Sequence, residues 1–162
     1  MGVLDRDALY IFDIDRTLIT TTDSSGELVW LKNMEPPYEM KEEGIVCGGN
    51  GTRAVLHAGA TEVLQRLQDH RKEIGFLSAG ALLDAPYEIQ PSVEVMKKLG
   101  IYEFFGKHKF LEYKTVDKQQ VLRGLGECVF FDDDEKHIVA AMHLDNVVVV
   151  DRKSFTSWKQ LL

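Results

Sequence analysis

Residues 8–12, Ala8-Leu9-Tyr10-Ile11-Phe12, form an apolar, aromatic and β-branched run that ends abruptly in Asp13, with Asp15 two positions further on. A run of this length bounded by polar residues reads as a buried strand. Side chains alternate across a strand, so Asp13 and Asp15 leave its end toward the same side. Two neighbouring carboxylates raise each other's pKa and are costly without a nearby cation. A hard divalent ion, most simply Mg²⁺, is the natural compensator. A strand-to-loop exit with two solvated aspartates is the plain alternative.

The rest of the chain repeats this pattern. Residues 61–72 carry Val63, Leu64 and Leu67 at helical spacing, and Glu73-Ile74-Gly75-Phe76-Leu77-Ser78-Ala79-Gly80 follows as a second short strand ending in a serine. Residues 91–99 read as a helix with Pro91 in its first turn and Gly100 as its stop, and 107–113 as a weaker strand. Asp117 is the expected N-cap of a helix over 118–125. Cys128-Val129-Phe130-Phe131 is a buried strand that stops in Asp132-Asp133-Asp134-Glu135, with Asp134 placed to cap the next helix. That helix runs to about Leu144 with Ile138, Val139 and Met142 on its apolar side, and His137 and His143 are expected on its exposed side. Val147-Val148-Val149-Val150 is a β-branched core strand, and Ser154 is the expected cap of a last short helix bearing Phe155, Trp158 and Leu161 or Leu162. Strands alternating with helices predict a parallel sheet covered on both faces, in a single α/β domain over 1–162. Residues 20–58 break the alternation, and we read them as a flap with β-hairpin character lying beside the strand end that bears the aspartates.

Charge and cysteine usage narrow the function classes. A net charge of −7 argues against a nucleic-acid or anionic-membrane footprint. No stretch is long and apolar enough to span a bilayer, and the first six residues lack a signal-peptide core. Cys47 and Cys128 make a poor disulfide framework, so a reducing, cytoplasmic setting is expected. The histidines lack zinc-ligand spacing. Gly48-Gly49-Asn50-Gly51 lacks the Lys-Ser/Thr of a phosphate loop and reads as a turn.

Four polar features thus fall at strand ends or helix starts: Asp13 with Asp15, Ser78, Lys118, and Asp132-Asp133-Asp134. In open α/β sheets, ligands sit outside the carboxyl ends of the strands. A hydroxyl, an ammonium and a helix N-terminus suit a phosphate, and acids from two strands suit Mg²⁺. In this order the four features resemble the motifs of the haloacid dehalogenase (HAD) superfamily of phosphotransferases. The chain is most similar to its magnesium-dependent phosphatase-1 group through Asp13-Ile14-Asp15-Arg16-Thr17-Leu18, Pro36-Pro37-Tyr38, Glu62-Val63-Leu64-Gln65-Arg66-Leu67-Gln68 and Phe130-Phe131-Asp132-Asp133.

The resemblance implies a three-layer, Rossmann-like fold with strand order 3-2-1-4-5, a small flap and no large cap domain. It implies Mg²⁺-dependent hydrolysis of phosphomonoesters, with a phosphorylated small molecule or a phosphoprotein as substrate. Asp13 would be the nucleophile, and Asp15 the general acid and base. Mg²⁺ would be held by Asp13, the Asp15 carbonyl and a fourth-strand acid, with Asp133 favoured for direct ligation and Asp132 acting through water or holding Lys118. Ser78 with its neighbour Ala79, Lys118 and Arg16 would face the phosphate, and Lys114 competes with Lys118 for that role. Relatives in the group usually follow the serine with arginine, where this chain has Ala79, so a fork-like contact is missing. Arg16, where an aromatic residue or glycine is more usual, either restores that charge, points into solvent, or pairs with Glu27 or Asp23. Two other readings remain: transfer of the phosphoryl to another acceptor, and a non-enzymatic, receiver-like phosphate-binding module.

Overall fold

The structure is a computed structural model that describes residues 2–113 and 117–162. Lys114 lies outside the described residues. In chain order the first half contains β1 (Leu9–Phe12), β2 (Ile19–Thr22), β3 (Leu28–Val29), β4 (Glu39–Glu42), β5 (Ile45–Cys47), β6 (Arg53–Leu56) and α1 (Ala60–Asp69). The second contains β7 (Glu73–Ser78), α2 (Pro91–Lys98), β8 (Lys109–Leu111), α3 (Lys118–Arg123), β9 (Cys128–Asp132), α4 (Glu135–Met142) and β10 (Val147–Asp151).

Five strands form a parallel sheet in the order β10-β9-β1-β7-β8, with β1 in the centre. This is the expected order 3-2-1-4-5 when the sheet's strands are numbered along the chain. Alternation along β1 divides the core. Tyr10 and Phe12 face the side covered by Val63, Leu64 and Leu67 of α1 and Val95 and Met96 of α2. Leu9 and Ile11 face the side covered by Leu122 of α3 and Ala141 of α4. Phe12 stacks on Phe131 at 4.6 Å between centroids, and both rings meet the fully buried Trp158. Burying each such ring contributes about 1.5–3 kcal/mol.

Residues 19–56 form more than the expected flap. They build a second, antiparallel sheet in the order β3-β2-β6-β5-β4. Its strands bury only part of their side chains, Ile19 and Thr21 in β2 and none in the wholly exposed edge strand β4. That leaves little hydrophobic period for a sequence reading to detect, and the charged edge discourages pairing with another chain.

Two helical expectations are corrected. In α4 the core is met by Ile138 and Ala141, whereas Val139 and Met142 are exposed. The last helix is two 3₁₀ turns, Arg152–Ser154 and Trp158–Leu161, capped by Asp151 and Ser157. Ser154 instead donates to the Asp151 carbonyl at 2.6 Å. Asp117 caps α3 as expected, accepting from Gln120 N. Among the described residues, no helix is long and apolar enough to cross a membrane.

Candidate active site

The register of the central strands brings the acids together. Phe12 pairs with Phe131, and the Asp13 N–H donates to the Phe131 carbonyl at 2.9 Å, so Asp13 leaves β1 beside Asp132 at the end of β9. Ser78 closes β7 on the other flank. All three are buried, Asp132 completely.

Lys118, at the first turn of α3, is also buried and joins these strand ends. Its Nζ donates to Asp13 Oδ1 at 2.9 Å and to Asp132 Oδ2 at 2.8 Å. Buried charges need such pairing, because an isolated ion in the interior is far more costly. Thr17 Oγ1 lies 3.0 Å from Asp13 Oδ2 and 3.3 Å from Asp133 Oδ1, and its single proton serves one carboxylate at a time. Asp134 accepts from Lys136 N and caps α4, as expected. Carboxylate oxygens of Asp13, Asp132 and Asp133 lie within 4.8 Å of one another.

Burial dominates the electrostatics. It lifts Asp13 well above the usual carboxylate range; Lys118 opposes the shift and the Asp132 charge adds to it. Burial and the Asp132 charge also raise Asp133, against a hydrogen bond with Asp13. Asp132 goes the other way. Burial alone would raise it, but His137, Lys118 and the Asp134 N–H hold it well below the usual range. Burial would lower Lys118, yet the charges of Asp13 and Asp132 raise it. Desolvation raises Asp15, opposed by the Leu31 N–H that meets its Oδ1 at 2.8 Å and by the Arg16 charge.

A cleft of about 960 Å³ opens over these groups, and Asp15, Arg16, Ser78, Ala79 and Lys118 line it together with the acids. Ser78 Oγ accepts from Gly80 N at 3.0 Å. A Cβ on Gly80 would meet Ser78 Oγ at 3.0 Å and Asp15 Oδ2 at 3.3 Å, so a glycine keeps this corner open. Arg16 does not pair with Glu27 or Asp23. Its guanidinium packs over the Trp30 ring at 4.6 Å, while Asp23 accepts from Ser25 and from Glu27 N.

Two features escaped the sequence reading. His137 is not on the exposed face of its helix: its Nδ1 lies 3.3 Å from Asp132 Oδ2, without hydrogen-bond alignment. Its position five residues after Asp132, on the first turn of a helix capped by Asp134, was the available signal. The second feature is a clamp on the turn after β1. The Thr17 carbonyl accepts from both Arg152 Nε and Trp158 Nε1 at 3.1 Å. Arg152 Nε also approaches His57 Nδ1 at 3.2 Å, which leaves Nε2–H of the neutral ring to donate to Thr20 Oγ1 at 2.6 Å. Burial first, then the Arg152 charge, pushes the His57 pKa down to about 4. The ring therefore stays neutral, and the clamp intact, through neutral pH.

Thr17→Val keeps the shape of this turn but removes the donor between Asp13 and Asp133. We expect a loss of about 1.5–3 kcal/mol in denaturant unfolding, the range for a hydrogen bond to a charged group. An unchanged midpoint would show that the hydroxyl contributes nothing.

No protein-family model matches this chain, and no curated protein matches it in sequence.

Proposed function

We propose that the protein is a Mg²⁺-dependent phosphomonoester hydrolase of the HAD type, working through an aspartyl-phosphate on Asp13. One observation carries the reading: Asp13, Asp132 and Ser78 converge at the carboxyl ends of three adjacent parallel strands, with Lys118 bridging the two acids. This is where open α/β sheets bind ligands.

The carboxylates of Asp13, Asp132 and Asp133 fit a hard divalent ion, to which the HAD resemblance would add the Asp15 carbonyl. The partial exposure of Asp133, and the commitment of buried Asp132 to Lys118, favour Asp133 as the direct ligand. When bound, Mg²⁺ supplies positive charge against the phosphoryl oxygens.

The chain's own residues carry the steps. An Asp13 carboxylate oxygen attacks phosphorus, the ester P–O bond breaks, and Asp15 gives its proton to the leaving oxygen. Asp15 then takes a proton from water as that water attacks phosphorus. The bond to Asp13 breaks and inorganic phosphate leaves. Ser78 and Lys118 hold phosphoryl oxygens, where positioning and charge do most of the catalytic work. The open cleft admits a phosphorylated small molecule or a phosphoprotein.

Hydrolysis of p-nitrophenyl phosphate tests the reading. Turnover should require Mg²⁺, stop on chelation and be absent in Asp13→Asn; full activity in that variant removes the mechanism. Asp15 yields a separate expectation. p-Nitrophenol leaves without needing a proton, whereas release of the aspartyl-phosphate needs the base. Asp15→Asn should therefore give a stoichiometric burst of p-nitrophenol followed by turnover slowed roughly 10²–10⁴-fold. An unchanged steady state with no burst would take Asp15 out of the chemistry. For alkyl phosphates, the parent rate should fall as pH rises through the elevated Asp15 pKa, because the proton to be donated is then lost.

A further inference from the structure

Asp15 is tied to the first residue of a 3₁₀ turn, Leu31–Asn33, through its contact with Leu31 N. The residues flanking that contact are Arg16, next to Asp15, and Trp30 and Lys32, on either side of Leu31. All three line the cleft. They adjoin the carboxylate that is proposed to protonate the leaving oxygen, which assigns them to the leaving-group side of the cleft.

Arg16 holds an unusual conformation there. Its φ of 65° lies in the left-handed region, which disfavours a residue with a Cβ, and a hydrogen bond from its N–H to the Ile19 carbonyl retains it. Its guanidinium carbon sits over the Trp30 ring, and its Nε is buried without a hydrogen-bond partner. Among the described residues, neither Arg16 nor Lys32 has an ion-pair partner. The rest of the lining mixes both signs, Lys136 and Lys153 with Asp134 and Glu135. The floor already provides Lys118 and Ser78 for the phosphoryl group. In a chain of net charge −7, the two cations on the Trp30 wall are therefore surplus to a simple phosphomonoester.

We propose that Arg16 and Lys32, with Trp30 as the plate beneath Arg16, form a subsite for a second anionic group on the leaving part of the substrate. That group is a carboxylate or a second phosphate a few atoms from the scissile ester. The planar guanidinium fork matches either anion in a bidentate manner, and stacking pre-orients it at little further entropic cost. The assignment rests on the phosphatase reading of the same cleft and specifies its substrate class.

The test compares two esters that differ at their far end, 3-phosphoglycerate with a carboxylate and glycerol 3-phosphate with a hydroxymethyl group. The parent should favour the carboxylate ester in kcat/KM by roughly ten- to a hundredfold, through KM and less so at high salt. In Arg16→Gln/Lys32→Gln, the ratio should fall to near one. Because the ratio is internal to each protein, a partly folded variant cannot imitate the loss. Equal kcat/KM in the parent, or an unchanged ratio in the variant, overturns the subsite while hydrolysis itself stands. If neither ester is turned over, p-nitrophenyl phosphate still decides the hydrolase reading, and binding decides the subsite. The parent should then bind 3-phosphonopropionate about tenfold or more tightly than propylphosphonate, and the double variant should not. Equal binding by the parent overturns the proposal.

Discussion

Asp13→Asn is expected to abolish turnover while leaving the protein at least as stable as its parent. The loss should be on the order of 10⁴-fold or more, since an amide oxygen cannot form the phosphoenzyme. The stability expectation follows from burial. The folded-state pKa of Asp13 lies above its unfolded value, mainly through desolvation. A raised carboxylate contributes stability that is fully present below the unfolded pKa, near 3.9, and lost as pH rises through the folded value. Ionised Asp13 is thus a burden on the fold at neutral pH, and asparagine removes it while keeping an acceptor for Lys118. Thermal melts of both proteins at pH 5 and pH 8 check this, with the variant gaining on the parent as pH rises. A folded variant with full turnover sinks the mechanism, and one distinctly less stable than the parent at pH 8 sinks the account of the burial.

Lys118→Met should have the opposite effect on stability. The variant strands two buried carboxylates, and breaking a buried pair from one side typically costs 3–5 kcal/mol. For a chain of this length the melting temperature should fall on the order of 10 °C, and activity should collapse with it. The pH dependence separates this cause from simple loss of packing. In the parent, Asp132 has a depressed pKa, so its contribution is present above the unfolded value and lost as pH falls through the folded one. Protonating Asp13 and Asp132 removes what Lys118 compensates, so parent and variant should converge toward acid and diverge toward neutrality. Adding Asp13→Asn to Lys118→Met should recover part of the loss, because contacting groups are not additive. A pH-independent deficit would assign the effect to lost side-chain packing instead.

Much of the floor of the site was legible in the sequence, because a strand's period of two and its abrupt polar end fix where the next side chain emerges. Asp13, Ser78 and Asp132 stand at such ends, and Lys118 follows a readable N-cap, Asp117. The cleft wall was less legible. β2, β4 and β6 are four residues each, with Thr20 and Thr22 half-buried in one and every side chain of another exposed, so no periodic apolar signal marks them. The position of Arg16 depends on a left-handed backbone and on Trp30, which the antiparallel sheet carries back to it. The Thr17 clamp has no sequence signature at all. It joins a backbone carbonyl, present at every residue, to side chains 135 and 141 positions away. The apolar face of α4 was misread because Val139 and Met142 look like core by composition, while the sheet is met by Ile138 and Ala141.

That clamp makes the finished turn wait for residues 135 and 141 positions downstream. The turn carrying Asp13, Asp15 and Thr17 leaves the ribosome long before Arg152 and Trp158, whose side chains lock its carbonyl. Chains begin to fold from the N-terminal side as they emerge, so Asp13 waits through the synthesis of at least 135 further residues on a turn held only by its local hydrogen bonds. The clamped form of this turn is thereby withheld from a nascent chain and arrives together with the burial of Trp158.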